Sequence, residues 1–143
     1  MQTEKKVLIF QGGWDGHEPK LVSARYKRML EKHGYNVTIT DTLETLRDAD
    51  MLMGLDLIVS SWTMGAIDHQ LVQNISRAVA AGTGLAGCHG GMCDSFREDT
   101  EWIRRLVVGA HGIEDAGCQE VLMQLFVQIV AHLRHVGTLG LST

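Results

Sequence analysis

His89 is bracketed by glycines two residues to either side, Gly87 and Gly91. That spacing is the frame of a strand-to-helix elbow, where the backbone is too crowded beside the apex for β-carbons. A nucleophile carried at the apex would stand out from the end of a sheet. Here the apex residue is His89, and the thiol of Cys88 comes one place too early. An imidazole in that position suits three roles: general acid or base, hydrogen-bond donor to an oxyanion, and metal ligand. The plainer reading is a histidine that bonds only neighbouring backbone. Cys88, inside the apolar run, reads as a small buried hydrophobe, and Cys93, in the segment leading away, as an exposed one.

Two further stretches carry groups suited to a ligand. In Gly12-Gly13-Trp14-Asp15-Gly16-His17, His17 is a second candidate for proton transfer, and Asp15 would orient it or bind hydroxyls. The alternatives are a helix-start histidine in solvent and an aspartate serving a turn. In Ser61-Trp62-Thr63-Met64-Gly65, Trp62 and Thr63 pair an aromatic face with a hydroxyl. Trp14 and Trp62 would suit sugar rings, whose CH faces are apolar, or would simply pack over the edge of the core. Gly90, beside the apex, joins Trp14, Asp15, Trp62 and Thr63 as a substrate contact. His17 and His89 would hold a zinc ion only with a third ligand; His111 is the candidate by sequence position. No other cofactor is indicated: the glycine pair completes neither a Walker nor a dinucleotide fingerprint.

The elements that must position these loops alternate. Val7 to Phe10 is a continuous apolar run, read as a central strand. A helix over Glu18 to His33 follows, with Val22, Tyr26, Met29, Leu30 and His33 on one face, Pro19 in its first turn and Gly34 past its end. Tyr35 to Thr40 is a second strand. Thr42 to Met51 is weakly helical, with Asp41 as its cap, and Leu55 to Ser60 is a third strand. Asp68 caps a helix carrying Leu71, Val72, Ile75 and Val79 that runs to Gly82, and the fourth strand leads into the elbow. This order predicts a mainly parallel sheet with helices on both faces. Ligands bind such sheets beyond the carboxyl ends of the strands, which puts the three loops on one rim. Beyond Trp102, Ile103 to Val108 fits strand or helix, Gly109 to Gly117 is a loop, and Gln119 to Arg134 is assigned to a helix by its length.

Composition narrows the rest. A chain of 143 residues, 45% hydrophobic and 21% charged, with no linker or repeat, is expected to form one domain over residues 1–143. A net charge of -4, with no basic face in the sequence, disfavours nucleic acid as the main partner. No apolar run is long enough to span a membrane. Three cysteines without regular spacing fit a reducing cytoplasm rather than a disulfide framework.

Lys6 to Phe10, the following Gly12-to-Glu18 motif and Gly82-Thr83-Gly84-Leu85-Ala86-Gly87-Cys88-His89-Gly90-Gly91 together resemble the trehalose-utilisation (ThuA-like) family. The resemblance covers residues 6–102. It implies the flavodoxin-like, three-layer fold of class I glutamine amidotransferases, with histidine at the elbow where those enzymes carry cysteine. It also implies a role in carbohydrate metabolism, with His17 and His89 as site histidines. After Trp102 the family pattern of a Gly-Gly pair followed by a histidine leaves only a trace in Ile103 to His111. His135 to Ser142 resembles a later family stretch. The expectation is a truncated or frame-shifted chain in which residues 103 to about 125 are not family sequence.

Three functions follow. The first is binding, and transformation, of a small-molecule carbohydrate at the rim by His89 and His17. The second is a non-catalytic association module that forms a homodimer through an exposed C-terminal helix. The third is a thiol amidotransferase using Cys88.

Overall fold

The computed structural model describes residues 4–108. Four strands, β1 (Lys5–Gly13), β2 (Tyr35–Thr40), β3 (Leu57–Thr63) and β4 (Gly84–Gly87), pair in the order β2-β1-β3-β4. All three pairings are parallel. Between the strands run α1 (Pro19–Lys32), α2 (Ala49–Met53) and α3 (His69–Ala80). This α/β arrangement is that of a flavodoxin-like fold, and its strand order reverses between β1 and β3, where such sheets open a crevice.

Alternation along the strands sends side chains to two cores. Val7, Ile9, Val37, Val59 and Ala86 pack against Leu30 of α1 on one face. Leu8, Phe10 and Ile58 pack against Leu71, Val72 and Ile75 of α3 on the other. Each such aliphatic side chain, fully buried, contributes about 2 kcal/mol relative to exposure. Asp68 caps α3 by accepting a bond from the Gln70 amide at 3.0 Å, as its place in the sequence predicts.

Several boundaries differ from expectation. α1 buries Pro19, Ser23 and Leu30, while Met29 points out with 43% exposure. His33 is likewise exposed and uses Nδ1 on the Met29 carbonyl at 2.8 Å, closing the helix end rather than entering the core. The weakly helical stretch is two pieces, a 3-10 turn over Leu43–Arg47 and then α2. Their caps are Thr42, which accepts from Glu44, and Asp48, which accepts from Met51, instead of Asp41. β3 runs on to Thr63, so Ser61, Trp62 and Thr63 lie in a strand and not in a loop.

Past the elbow the chain returns to the α3-side core. Met92, Phe96 and Trp102 are buried there, Trp102 meets Phe96 edge-on at 5.2 Å, and its indole N–H donates to the Met92 carbonyl at 3.1 Å. Trp102–Val108 winds as a π-helix, so the ambiguous stretch is helical. The loop assigned to 109–117, the helix assigned to 119–134, a homodimer built on that helix, and His111 lie outside the described residues. Among the described residues no helix is long and apolar enough to cross a membrane.

Candidate functional site

The elbow forms as its glycines require. Cys88 is extended, with φ -142° and ψ 149°, and His89 takes the left-handed apex at φ 44°. That conformation is costly for a residue with a β-carbon and persists where surrounding contacts impose it. A Cβ on Gly87 would stand 2.6 Å from Met92 Cβ and 2.8 Å from the Ser60 carbonyl oxygen. Two bonds then fix the turn: Ser60 Oγ donates to the Gly91 carbonyl at 2.5 Å, and the Cys93 amide donates to the His89 carbonyl at 2.9 Å. With Met92 and Phe96 buried behind it, the apex is held from the core side.

His17 arrives from the neighbouring loop. The Trp14 amide donates to the Thr63 carbonyl at 3.0 Å, which ties the end of β1 to the end of β3. Asp15–His17 then makes one 3-10 turn into Glu18, itself left-handed at φ 47°. The His17 ring lies edge-on to His89, centroids 5.2 Å apart, and to Trp14 at 4.9 Å. Its Nδ1 is 3.0 Å from Thr63 Oγ1. That bond occupies Nδ1, so Nε2 is the nitrogen left for a ligand, as a donor if Thr63 gives its proton and as a base if His17 does.

Both imidazoles open on a cleft of about 170 Å³ between the first half of α1 and the ends of β3 and β4. Its lining includes Pro19, Val22 and Tyr26 from α1, Ser60, Ser61 and Thr63 from β3, and Cys88 and Gly90 at the elbow. Among the described residues the lining contains neither a carboxylate nor a lysine or arginine. Tyr26 donates its hydroxyl to Cys88 Sγ; burial first, then that bond, pushes its pKa upward, so it remains a neutral phenol at physiological pH.

His17, His89, Thr63 and Gly90 therefore come together as the sequence predicts. Trp14 stands at the lip, 52% exposed, and Asp15 is exposed in the turn; the side chain bonded to His17 is that of Thr63. Trp62 is corrected. Alternation along β3 turns it to the opposite face, over Gly12 and 6.3 Å from Phe96, away from the cleft. The two cysteines exchange places: Cys88 is exposed and Cys93 buried. The α1-side parity that takes Ala86 inward carries Cys88 past the end of the helix cover, while the elbow folds Cys93 back on the core. Tyr26 and Ser60 line the cleft without having been singled out from the sequence. The signal for Tyr26 is the helical spacing Pro19, Val22, Tyr26; Ser60 has the opposite strand parity to Ser61 and Thr63, and its hydroxyl is engaged on the Gly91 carbonyl. Among the described residues no three His, Cys, Asp or Glu side chains cluster to hold a metal ion, so His17 and His89 do not by themselves complete a zinc site.

The two glycine-rich motifs thus meet at one cleft, and the family model of ThuA, trehalose utilisation, matches residues 6–143. The chain belongs to the ThuA family. The match runs through the stretch after Trp102, where the motifs quoted above end. No curated protein and no solved structure matches this chain. In this ThuA-family protein the histidine-tipped elbow, the His17 turn and the end of β3 share one rim at the switch point of the sheet, the place where open α/β sheets hold ligands.

Proposed function

We propose that this ThuA-family protein binds a neutral sugar or sugar derivative in the cleft and transforms it by proton transfer, with His17 and His89 as the paired acid-base groups. The convergence of the two imidazoles, 5.2 Å apart over a cleft of hydroxyl groups without fixed charge, carries the reading. Ser, Thr and Tyr hydroxyls match the alternating donors and acceptors of a sugar ring, and Val22 and Pro19 match its CH face. Among the described residues the lining has no arginine or lysine, which disfavours a phosphorylated ligand, since that would call for cationic partners. The volume is below the roughly 300–1,000 Å³ of drug-sized sites, which suits one ring better than two. The extended backbone at Cys88 weighs against a thiol nucleophile, whose elbow position would be that of His89. A cytoplasmic location and a carbohydrate-utilisation role belong to this proposal.

Isothermal titration of trehalose, glucose and their oxidised derivatives against native protein, His17→Ala and His89→Ala is the test. Loss of one or two buried hydrogen bonds predicts affinity falling by about 10- to 100-fold in each variant. Unchanged affinity in both variants overturns the assignment.

A further inference from the structure

On the α1 side of the sheet two buried side-chain oxygens, Gln11 Oε1 and Ser23 Oγ, find no hydrogen-bond partner among the described residues. Burying such atoms unpaired is expensive, so they call for a partner that the described residues do not supply. Trp62 Nε1 is also unpaired, but it belongs to the opposite face of the sheet.

Topology brings the first two to one place. Gln11 is the register partner of Ser61 on the adjacent strand, and parallel neighbours in register point to the same face. That face is the α1 side, because Val7 and Ile9, two and four residues earlier, pack against Leu30. Helix α1 runs antiparallel to the strands, so its first turns cover their carboxyl ends. Ser23, fully buried, sits one turn after Pro19 and next to Val22, and both of these line the cleft, as does Ser61. Ser61, 5% exposed, is therefore the lining residue that lies beside Gln11 in the sheet.

We infer that Gln11, Ser23 and Ser61 form a polar floor that recognises one hydroxyl group of the ligand, and so select a free hydroxyl at one ring position. The chemistry is specific. Gln11 Oε1 can only accept a hydrogen bond, whereas the serine hydroxyls can also donate. A hydroxyl satisfies both needs, giving its proton to Gln11 and accepting from a serine. A phosphate, a carboxylate or an ether oxygen has no proton to give. The inference rests on the sugar-binding reading above and extends it from a class of ligand to a required functional group. Gln11 and Ser23 are specificity-determining residues in this scheme and take no part in proton transfer.

Two measurements test it. In the first, native protein, Gln11→Met and Ser61→Ala are titrated with the sugar that binds best and with its set of monodeoxy and mono-O-methyl analogues. The expected result is that native protein loses at least tenfold in affinity for the analogues altered at one position, and that Gln11→Met loses this discrimination. Equal discrimination in Gln11→Met overturns the floor while leaving sugar binding intact; failure of native protein to bind any sugar overturns the underlying reading as well. The second needs no ligand. Gln11→Met and Ser23→Ala remove atoms with no partner among the described residues, so the melting temperature of the free protein should hold or rise. A clear fall in both would mean that these groups are already engaged within the fold, and would overturn the inference whatever the titrations give.

Discussion

Gly90 and His17 occupy adjoining space that leaves no room for a β-carbon: one added to Gly90 would lie 2.3 Å from His17 Cε1 and 2.5 Å from Nδ1. The glycine next to the elbow apex therefore sets the position of the histidine on the other loop. Gly90→Ala should displace the imidazole, break its bond to Thr63 and weaken ligand binding by roughly the 10- to 100-fold worth of a lost buried hydrogen bond. The added carbon would also press on Thr63 Cγ2 at 3.2 Å, a buried side chain, so the melting temperature should fall modestly while affinity falls more. Calorimetric titration beside a thermal melt checks both; full affinity in Gly90→Ala would show that the ring is not confined there.

Thr63 acts on the same ring from the other side. Thr63→Val keeps the shape of a residue that is 2% exposed and keeps the carbonyl that anchors Trp14, but deprives His17 Nδ1 of its partner. Binding should fall about tenfold, the equivalent of about 1.4 kcal/mol. The nitrogen resonances of His17 should move toward a mixture of tautomers, since the hydrogen bond at one ring nitrogen selects where the proton sits. Unmoved resonances would mean that the Thr63 bond does not fix the tautomer.

The frame of this site was legible in the sequence because its signals are backbone signals. Gly87 and Gly91 mark a turn that only their spacing permits, and His89 adopts the left-handed apex they imply. The bounds of β2, Tyr35–Thr40, and the Asp68 cap read correctly for the same reason. What was not legible depended on which face a side chain takes at the end of a strand. Trp62 and Thr63 are adjacent in sequence, yet β3 continues through both and sends them to opposite faces, so one packs on Phe96 and the other reaches His17. Tyr26 fits a helical apolar stripe as well as any core residue; only the shortness of β4 beside it turns its hydroxyl into a wall of the cleft. Cys88 and Cys93 differ in burial because the elbow reverses the chain between them, which local composition does not encode.

A cluster outside the site gives a pH dependence of known sign. His69, the first residue of α3, bonds Asp99 through Nδ1 at 2.8 Å and approaches Glu101 through Nε2 at 3.6 Å, with Asp68 as a further acidic neighbour. The hydrogen bond that His69 donates to Asp99 is the main reason its pKa is raised from 6.5. Burial tends to raise the Asp99 carboxyl, but the bonds from His69 and the Trp102 amide outweigh it and hold the pKa below 3.8. A raised histidine pKa gives stability that is complete below 6.5 and lost as pH rises through the folded value. A lowered aspartate pKa gives stability that is complete above 3.8 and lost as pH falls through the folded value. The difference in melting temperature between native protein and His69→Ala should thus be largest between about pH 4 and pH 6 and shrink in alkaline solution. It should be small, since His69 is an exposed partner. A difference that grew with rising pH would contradict the pairing.

The exposed thiol offers the most direct probe of the cleft. Cys88 lies on its wall with Tyr26 donating to the sulfur, while Cys93 is 9% exposed and packed among Phe96, Trp102 and other core side chains. Reactivity of a thiol requires access as well as thiolate character. A small alkylating reagent should therefore modify Cys88 in the folded protein well before Cys93, which should react only as the protein unfolds. Occupation of the cleft by a bound sugar should slow labelling of Cys88 in proportion to saturation, so that the protection constant equals the dissociation constant from titration. Peptide mass spectrometry over a time course reads both sites at once. Labelling of Cys93 first would place the elbow differently from the structure described above, whereas labelling of Cys88 unaffected by a saturating sugar would place the ligand outside this cleft.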